Sequence, residues 1–468
     1  MREDSTLSRR RLLAAAGAGA LAAAMHRLTG AAIDARAPNI LFILADDLGY
    51  ADLSCYGRRE YRTPHIDGLA EQGLKLTHGY SNSSICSPTR CALITGRYQY
   101  RFPVGLHEPL PRNPGELGLP AGHPTLPSLL RSVGYRTALI GKWHLGTAPE
   151  HGPLQHGYER FFGIHGGAAD YFTHEFAVPP TGRSDLYENT KRIERNGYLT
   201  DLLTGEAIKE IEQSAAGEQP FFLSLHYTAP HWPWEGPQDE AVSKSLRTIF
   251  HTDGGSLETY AAMVRSLDEG VGRVLRALSR AQLDRNTIVV FTSDNGGERF
   301  SDMWPFTGMK AELLEGGIRV PTLIRWPGRI AAGTESDQVI ATMDWLPTLL
   351  AAAGGRADAQ HPPDGENLLP VLLREAPARP RTLYWRFKAN EQAAVRRGNW
   401  KYLKIGANEF LFDVVADPRE RANLAQRHPE KFQRLKAAYA AWDETMLQYP
   451  ADTYTYSQKD GARVADRY

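Results

Sequence analysis

The sequence predicts an α/β protein: a large, mostly parallel mixed sheet flanked by helices, with a smaller C-terminal subdomain of antiparallel sheet plus helix. Three observations carry this. Short, continuous apolar runs recur through most of the chain, as expected of strands buried on both faces. Helical patterns lie between them. Near the C-terminus the runs alternate instead, as strands with one wet face do.

The apolar runs fall at residues 39–45, 137–140, 221–225, 287–291 and 321–324. Helical patterns cover 125–132 and 257–281, the second with Met263, Leu267, Val271 and Leu275 spaced to share one face. A cluster at Pro362-Pro363-Asp364-Gly365 marks a boundary. Beyond it, 382–386, 393–405 and 410–414 read as antiparallel strands, and 429–446 as an amphipathic closing helix. The expected layout is a large domain at 38–361, a subdomain at 362–447 and a polar, loosely ordered tail at 448–468.

Residues 1–37 are expected to be an export signal. Ser8-Arg9-Arg10-Arg11-Leu12-Leu13 precedes an apolar run, and Ala35-Arg36-Ala37 offers a small-x-small cleavage site, a pattern resembling a twin-arginine signal. The run is short and rich in alanine and glycine for a membrane span, a retained anchor being the other reading. A twin-arginine signal implies folding in a bacterial cytoplasm and export of the complete protein by the twin-arginine translocase. The destination is the periplasm or the exterior, with no permanent span after cleavage. A side chain could be modified before export.

Of 468 residues, 54 are Lys or Arg and 54 are Asp or Glu. Zero net charge gives no global attraction to nucleic acid or anionic lipid, so anion recognition must come from a local cluster. Three cysteines, Cys55, Cys86 and Cys91, make no disulfide framework. Should Cys86 be consumed chemically, Cys55 and Cys91 either pair or stay free.

Ionisable residues follow the apolar runs repeatedly. Asp46-Asp47 follows the first, Lys142 and His144 the second, His226 the third, and Asp294-Asn295 the fourth. In open α/β sheets, ligands bind at the edge where strands end. Adjacent carboxylates repel unless a cation binds them, and hard oxygen donors suit calcium or magnesium. Turn chemistry explains either pair alone; both at strand ends point to a metal.

Cys86-Ser87-Pro88-Thr89-Arg90, continuing into Cys91-Ala92-Leu93-Ile94-Thr95-Gly96-Arg97, resembles the C-x-P-x-R signature of the sulfatase family. Thr89 departs from the commoner Ser or Ala; Cys86, Pro88 and Arg90 are intact. Thr292-Ser293-Asp294-Asn295-Gly296, Gly141-Lys142-Trp143-His144-Leu145-Gly146 and Thr228-Ala229-Pro230-His231-Trp232-Pro233 resemble other segments of that family. So does Lys310 leading Glu315-Gly316-Gly317-Ile318-Arg319-Val320-Pro321, and the resemblance spans nearly all of the chain after the signal.

The resemblance implies an alkaline-phosphatase-like core with a small four-stranded C-terminal subdomain, and hydrolysis of an organic sulfate ester, such as a sulfated carbohydrate or a generic aryl sulfate. Cys86 would be oxidised to formylglycine (3-oxoalanine) by a formylglycine-generating enzyme. Asp46, Asp47, Asp294, Asn295 and the modified Cys86 would bind Ca2+, with Mg2+ possible. Arg90, Lys142 and Lys310 would hold the sulfate, His231 or Lys310 would protonate the leaving alcohol, and His144 would act as the base that releases sulfate. His226 is expected to be structural. The segment 163–174 resembles family members acting on sulfated amino sugars, making Asp170, His174, Trp232 and Trp234 candidate substrate contacts. The rivals are a phosphonate monoester or phosphodiester hydrolase of the same superfamily and a catalytically inactive sulfated-glycan-binding protein.

Overall fold

A computed structural model describes residues 37–111, 115–176, 182–247 and 254–456. The expected signal at 1–37 therefore lies outside the described residues, save Ala37. No helix among the described residues is long and apolar enough to cross a membrane.

Four parallel strands form the centre: β1 (Asn39–Ala45), β2 (Arg136–Gly141), β3 (Phe221–His226) and β4 (Thr287–Ser293). Their spatial order is β4-β1-β3-β2 within a ten-stranded sheet. β1, β3 and β4 are buried along their whole length, as unbroken apolar runs require when helices cover both faces. Thr322–Arg325 pairs antiparallel with β4, which makes the sheet mixed.

Helices α1 (Cys86–Thr95), α2 (Leu199–Ala215) and α3 (Leu257–Arg280) pack on this sheet or beside it. The periodicity that predicted α3 is borne out: Met263, Leu267 and Val271 are fully buried in one core with Leu41, Ile43 and Leu223 from the sheet. The opposite core joins Ile40, Phe42 and Leu44 to Cys91, Leu93 and Ile94 of α1. Alternate residues of β1 thus anchor the two layers.

The run 393–405, read as one strand, is two: Gln392–Arg397 and Trp400–Ile405, paired antiparallel. Gly398, at a φ of 58°, makes the turn between them. With Thr382–Phe387 and Asn408–Asp413 they form a four-stranded antiparallel sheet, and Pro429–Asp443 is the closing helix. This sheet shares a core with α1, where Leu383, Trp385 and Ala394 join Tyr80, Cys86 and Ala92. Residues 449–456, expected to be loosely ordered, instead run back over the large domain, where Glu108 N–H donates to the Tyr454 carbonyl at 3.0 Å. The rest of the expected tail, 457–468, lies outside the described residues.

Candidate functional site

Asp46 and Asp47 directly follow β1, and Asp294 and Asn295 directly follow β4, on neighbouring strands paired in register up to Ala45 and Ser293. All four side chains are buried. Asp47 sits at a φ of 61°, a costly conformation outside glycine that over-determined sites tolerate. Its amide donates to Asp294 Oδ1 at 3.2 Å, and Asn295 Nδ2 donates to its Oδ1 at 2.7 Å.

Two buried oxygens in this cluster, Asp46 Oδ1 and Asn295 Oδ1, have no hydrogen-bond partner. Burying such atoms unsatisfied costs free energy, and a hard cation removes that cost. Burial and the neighbouring Asp294 raise the Asp46 carboxyl well above the usual carboxylate range, against Lys142 and Arg90. A divalent cation would reverse this. One ligand atom each from Asp46, Asp47 and His231 lies within a span of 4.8 Å. The donor set fits a divalent metal.

Cations crowd the same carboxylates. Lys142 Nζ lies 2.5 Å from Asp46 Oδ2, Arg90 forks onto Asp294 Oδ2 at 2.8 and 3.1 Å, and Lys310 Nζ lies 2.6 Å from Asp47 Oδ2. Burial opposes the charge on Lys310, but Asp47 and Glu298 outweigh it and hold the ammonium well above its usual value. Cys86 begins α1 beside them; burial pushes its thiol up to about 11, partly offset by Lys142 and Lys310. An unmodified Cys86 is therefore a protonated thiol at neutral pH, a poor nucleophile.

The histidines take defined tautomers. Burial, then Lys142, hold His144 well below its usual value, and burial and Lys310 do the same to His231. Both are neutral. A carbonyl can only accept, so His144 Nε2–H donates to Leu110 at 3.0 Å, and Nδ1, buried without a partner, keeps its lone pair. By the same reasoning His231 Nδ1–H donates to the Trp232 carbonyl at 2.7 Å, and Nε2 accepts from Lys310 at 3.2 Å. Of the two candidate acids, Lys310 is thus the one that carries a proton. His226 lies between Arg90 and the Lys142 carbonyl, 3.3 Å from the latter, in the expected structural place.

Cys86, His144, His231, Trp232 and Lys310 line one cavity of about 240 Å3. Asp170 and His174 do not line it. Asp170 Oδ1 accepts from the amides of Phe172 and Thr173 at 2.9 and 2.7 Å, and both its oxygens accept from Ser243 Oγ. His174 Nε2 bonds the Gly197 carbonyl. Both hold their own loop, outside the lining of this cavity. Trp234 packs edge-on against Phe300, away from the cavity lining.

Four neighbours of these side chains were given no role by the sequence. Glu298 lies 3.7 Å from Lys310. Gly167 abuts His144: a Cβ there would sit 2.4 Å from Cε1. Tyr454 and Tyr456 line the cavity from the far end of the chain. Gly167 lies in the 163–174 segment already singled out, whereas Glu298, Tyr454 and Tyr456 belong to no quoted motif, and their proximity to the site is visible only in space.

The sulfatase family model matches residues 38–355, and a second, described as N-sulphoglucosamine sulphohydrolase, C-terminal, matches 309–440. The chain belongs to the sulfatase family. It is 30% identical to mouse Arylsulfatase J over 470 aligned residues, covering 88% of this chain and 77% of that one. Mouse N-acetylgalactosamine-6-sulfatase is 35% identical over 389 residues, covering 78% and 71%. Among solved structures, Ps i-CgsB in complex with k-i-k-neocarrahexaose superposes with a TM-score of 0.81 at 30% identity, over 92% of this chain and 97% of that one. The expectation of a sulfuric ester hydrolase on this α/β fold is borne out. The phosphonate monoester hydrolase of Agrobacterium radiobacter, at 22% identity and a TM-score of 0.61, shares the fold.

Proposed function

We propose that this sulfatase hydrolyses the sulfate ester of a carbohydrate, also accepting simple aryl sulfates, with a formylglycine made from Cys86. The observation that supports it best is the buried cluster of Asp46, Asp47, Asp294 and Asn295, two oxygens unpartnered, set against Cys86, Arg90, Lys142 and Lys310. The carbohydrate reading rests on relatives named for N-acetylgalactosamine-6-sulfate and on a neighbour solved with an oligosaccharide.

Asp46, Asp47, Asp294 and Asn295 would hold Ca2+, or Mg2+ in its place, supplying positive charge against sulfate oxygen and the group at position 86. Oxidised to formylglycine and hydrated, position 86 would supply one hydroxyl to attack sulfur, its proton passing to the Asp294 carboxylate, and a second to expel sulfate. Lys142 and Lys310 would neutralise sulfate oxygens. Arg90, its fork committed to Asp294, would chiefly fix that carboxylate and lend its charge to the floor. Lys310 would give its proton to the leaving oxygen, with His231 Nε2 steering the ammonium. His144 Nδ1 would take the proton whose loss releases sulfate. The N-terminal pattern supports export to the periplasm or exterior by the twin-arginine route.

Mass spectrometry of the peptide containing residue 86, from protein purified out of its native host, tests the nucleophile. Formylglycine or its hydrate is expected, together with turnover of sulfate esters over phosphonate esters. Cys86→Ser, expressed without a serine-modifying system, should lose at least ~1,000-fold in kcat. An unmodified Cys86 in active mature protein, or full activity in the serine variant, would end this reading.

A further inference from the structure

Resting on the sulfatase reading of this pocket, we propose that residues 449–456 are a built wall of the substrate site: pinned to the buried carboxylate of Glu108, the segment sets Tyr454 and Tyr456 into the cavity that Trp232 also lines, to bind the ring of the departing alcohol.

The pinning is specific. Glu108 is fully buried. Its Oε1 accepts from Tyr449 Oη at 2.5 Å, and its Oε2 from Thr455 Oγ1 at 3.1 Å and the Lys388 amide at 2.8 Å. Its backbone brackets the segment, donating to the Tyr454 carbonyl and accepting from the Tyr456 amide at 2.5 Å. Lys388 Nζ draws in the carbonyls of Pro450, Ala451 and Thr453 at 3.2, 3.3 and 2.6 Å. Tyr456 Oη donates to Glu298 at 3.3 Å, and Glu298 neighbours Lys310. A buried carboxylate is costly unless hydrogen-bonded, and here most of its partners belong to the returning segment or to Lys388, which also holds it. The attachment also reaches the chemistry: two residues beyond Glu108, the Leu110 carbonyl fixes the His144 tautomer.

The wall differs in character from the floor. Lys310, His144 and His231 serve the sulfate end, while Phe176, Trp232, Tyr454 and Tyr456 supply aromatic surface, and among the described residues no carboxylate lines the cavity. Such a wall takes the flat apolar face of an uncharged ring, aromatic or pyranose. Tyr454 remains half exposed at 48%, so its removal leaves no cavity in a core.

The test is the double variant Tyr454→Ala/Tyr456→Ala, assayed with 4-methylumbelliferyl sulfate and with inorganic sulfate as competitive inhibitor. KM should rise about tenfold, as loss of aromatic stacking implies, with kcat within roughly twofold and the sulfate inhibition constant unchanged. Glu108→Ala, which removes both oxygens that hold the segment, should raise KM in the same direction. An unchanged KM, or a sulfate constant rising in step with KM, overturns the proposal. Binding of 4-methylumbelliferone, which carries no sulfate, judges the wall separately: equal affinity in wild type and double variant overturns it. Wild-type protein that neither turns over the ester nor binds sulfate refutes the sulfatase reading instead.

Discussion

At the scale of single residues, the site depends on what is absent as much as on what is present. Gly167 leaves the space that the His144 ring occupies, since a Cβ would meet Cε1 at 2.4 Å and Nε2 at 2.6 Å. Backbone and ring cannot both stay in place. Gly167→Ala is therefore expected to turn His144 from its Leu110 partner and lower kcat by roughly tenfold to 100-fold, with a smaller effect on KM. Steady-state kinetics on an aryl sulfate would show it, and wild-type kcat would mean that the loop yields without disturbing the ring. Residue identity was also where the sequence was most legible. Asp46, Asp47, Asp294 and Asn295 were readable because oxygen-bearing polar side chains directly after apolar runs need a reason. Asp170 and His174 were less legible for an equally plain cause: polar residues in a glycine-rich segment serve a loop's own groups as readily as a ligand, and here Phe172, Thr173, Ser243 and Gly197 bond them.

At the scale of elements, the small sheet buttresses the loop that carries Lys310. Lys401, fully buried on the Trp400–Ile405 strand, reaches Glu315 at 3.0 Å and Glu420 at 2.9 Å. Burial works against ionisation of Glu315, but Lys401, Arg319 and Arg396 outweigh it and hold the carboxyl below its usual value. Removing the lysine would take the ammonium from buried Glu420 and leave Glu315 to Arg319 and Arg396. Lys401→Met should cost about 3 kcal/mol of stability, read as a fall in the denaturant midpoint with the slope unchanged. A loss below ~1 kcal/mol would show that solvent or protonation compensates. Central strands and α3 were legible because period and length agree with full burial. The pair Gln392–Arg397 and Trp400–Ile405 was not, since Gly398 and Asn399 sit inside what reads as one continuous run. Helix α2 also went unread: Glu206 and Glu210 are buried on its inner face, bound by Arg160 at 2.7 and 2.6 Å, and so break the apolar stripe on which helix reading depends.

At the scale of the whole molecule, the two ends of the described chain meet at one site. β1 supplies the first carboxylates, and 341 residues separate Tyr449 from the Glu108 it binds. No local pattern announces such a contact; only closure of the fold does. The contact also gives the protein a dependence on pH. Burial pushes the Glu108 carboxyl up to about 7 from an ordinary 4.5, even though Tyr449, Lys388 and Thr455 donate to it. The native state therefore keeps this proton to higher pH than the unfolded chain does. Its contribution to stability is complete below about pH 4.5 and is lost as pH rises through about 7. Glu108→Gln carries a permanently neutral side chain, so its stability should vary less across that window, by up to about 3 kcal/mol for a shift of this size. Melting temperatures of both proteins at several pH values between 4.5 and 8 measure the difference. Parallel curves would mean that Glu108 is already ionised in the native state, its charge held by the three donors. Convergence at low pH with wild type falling away above neutrality would show that protonated Glu108 is what fastens the C-terminal segment beside the site.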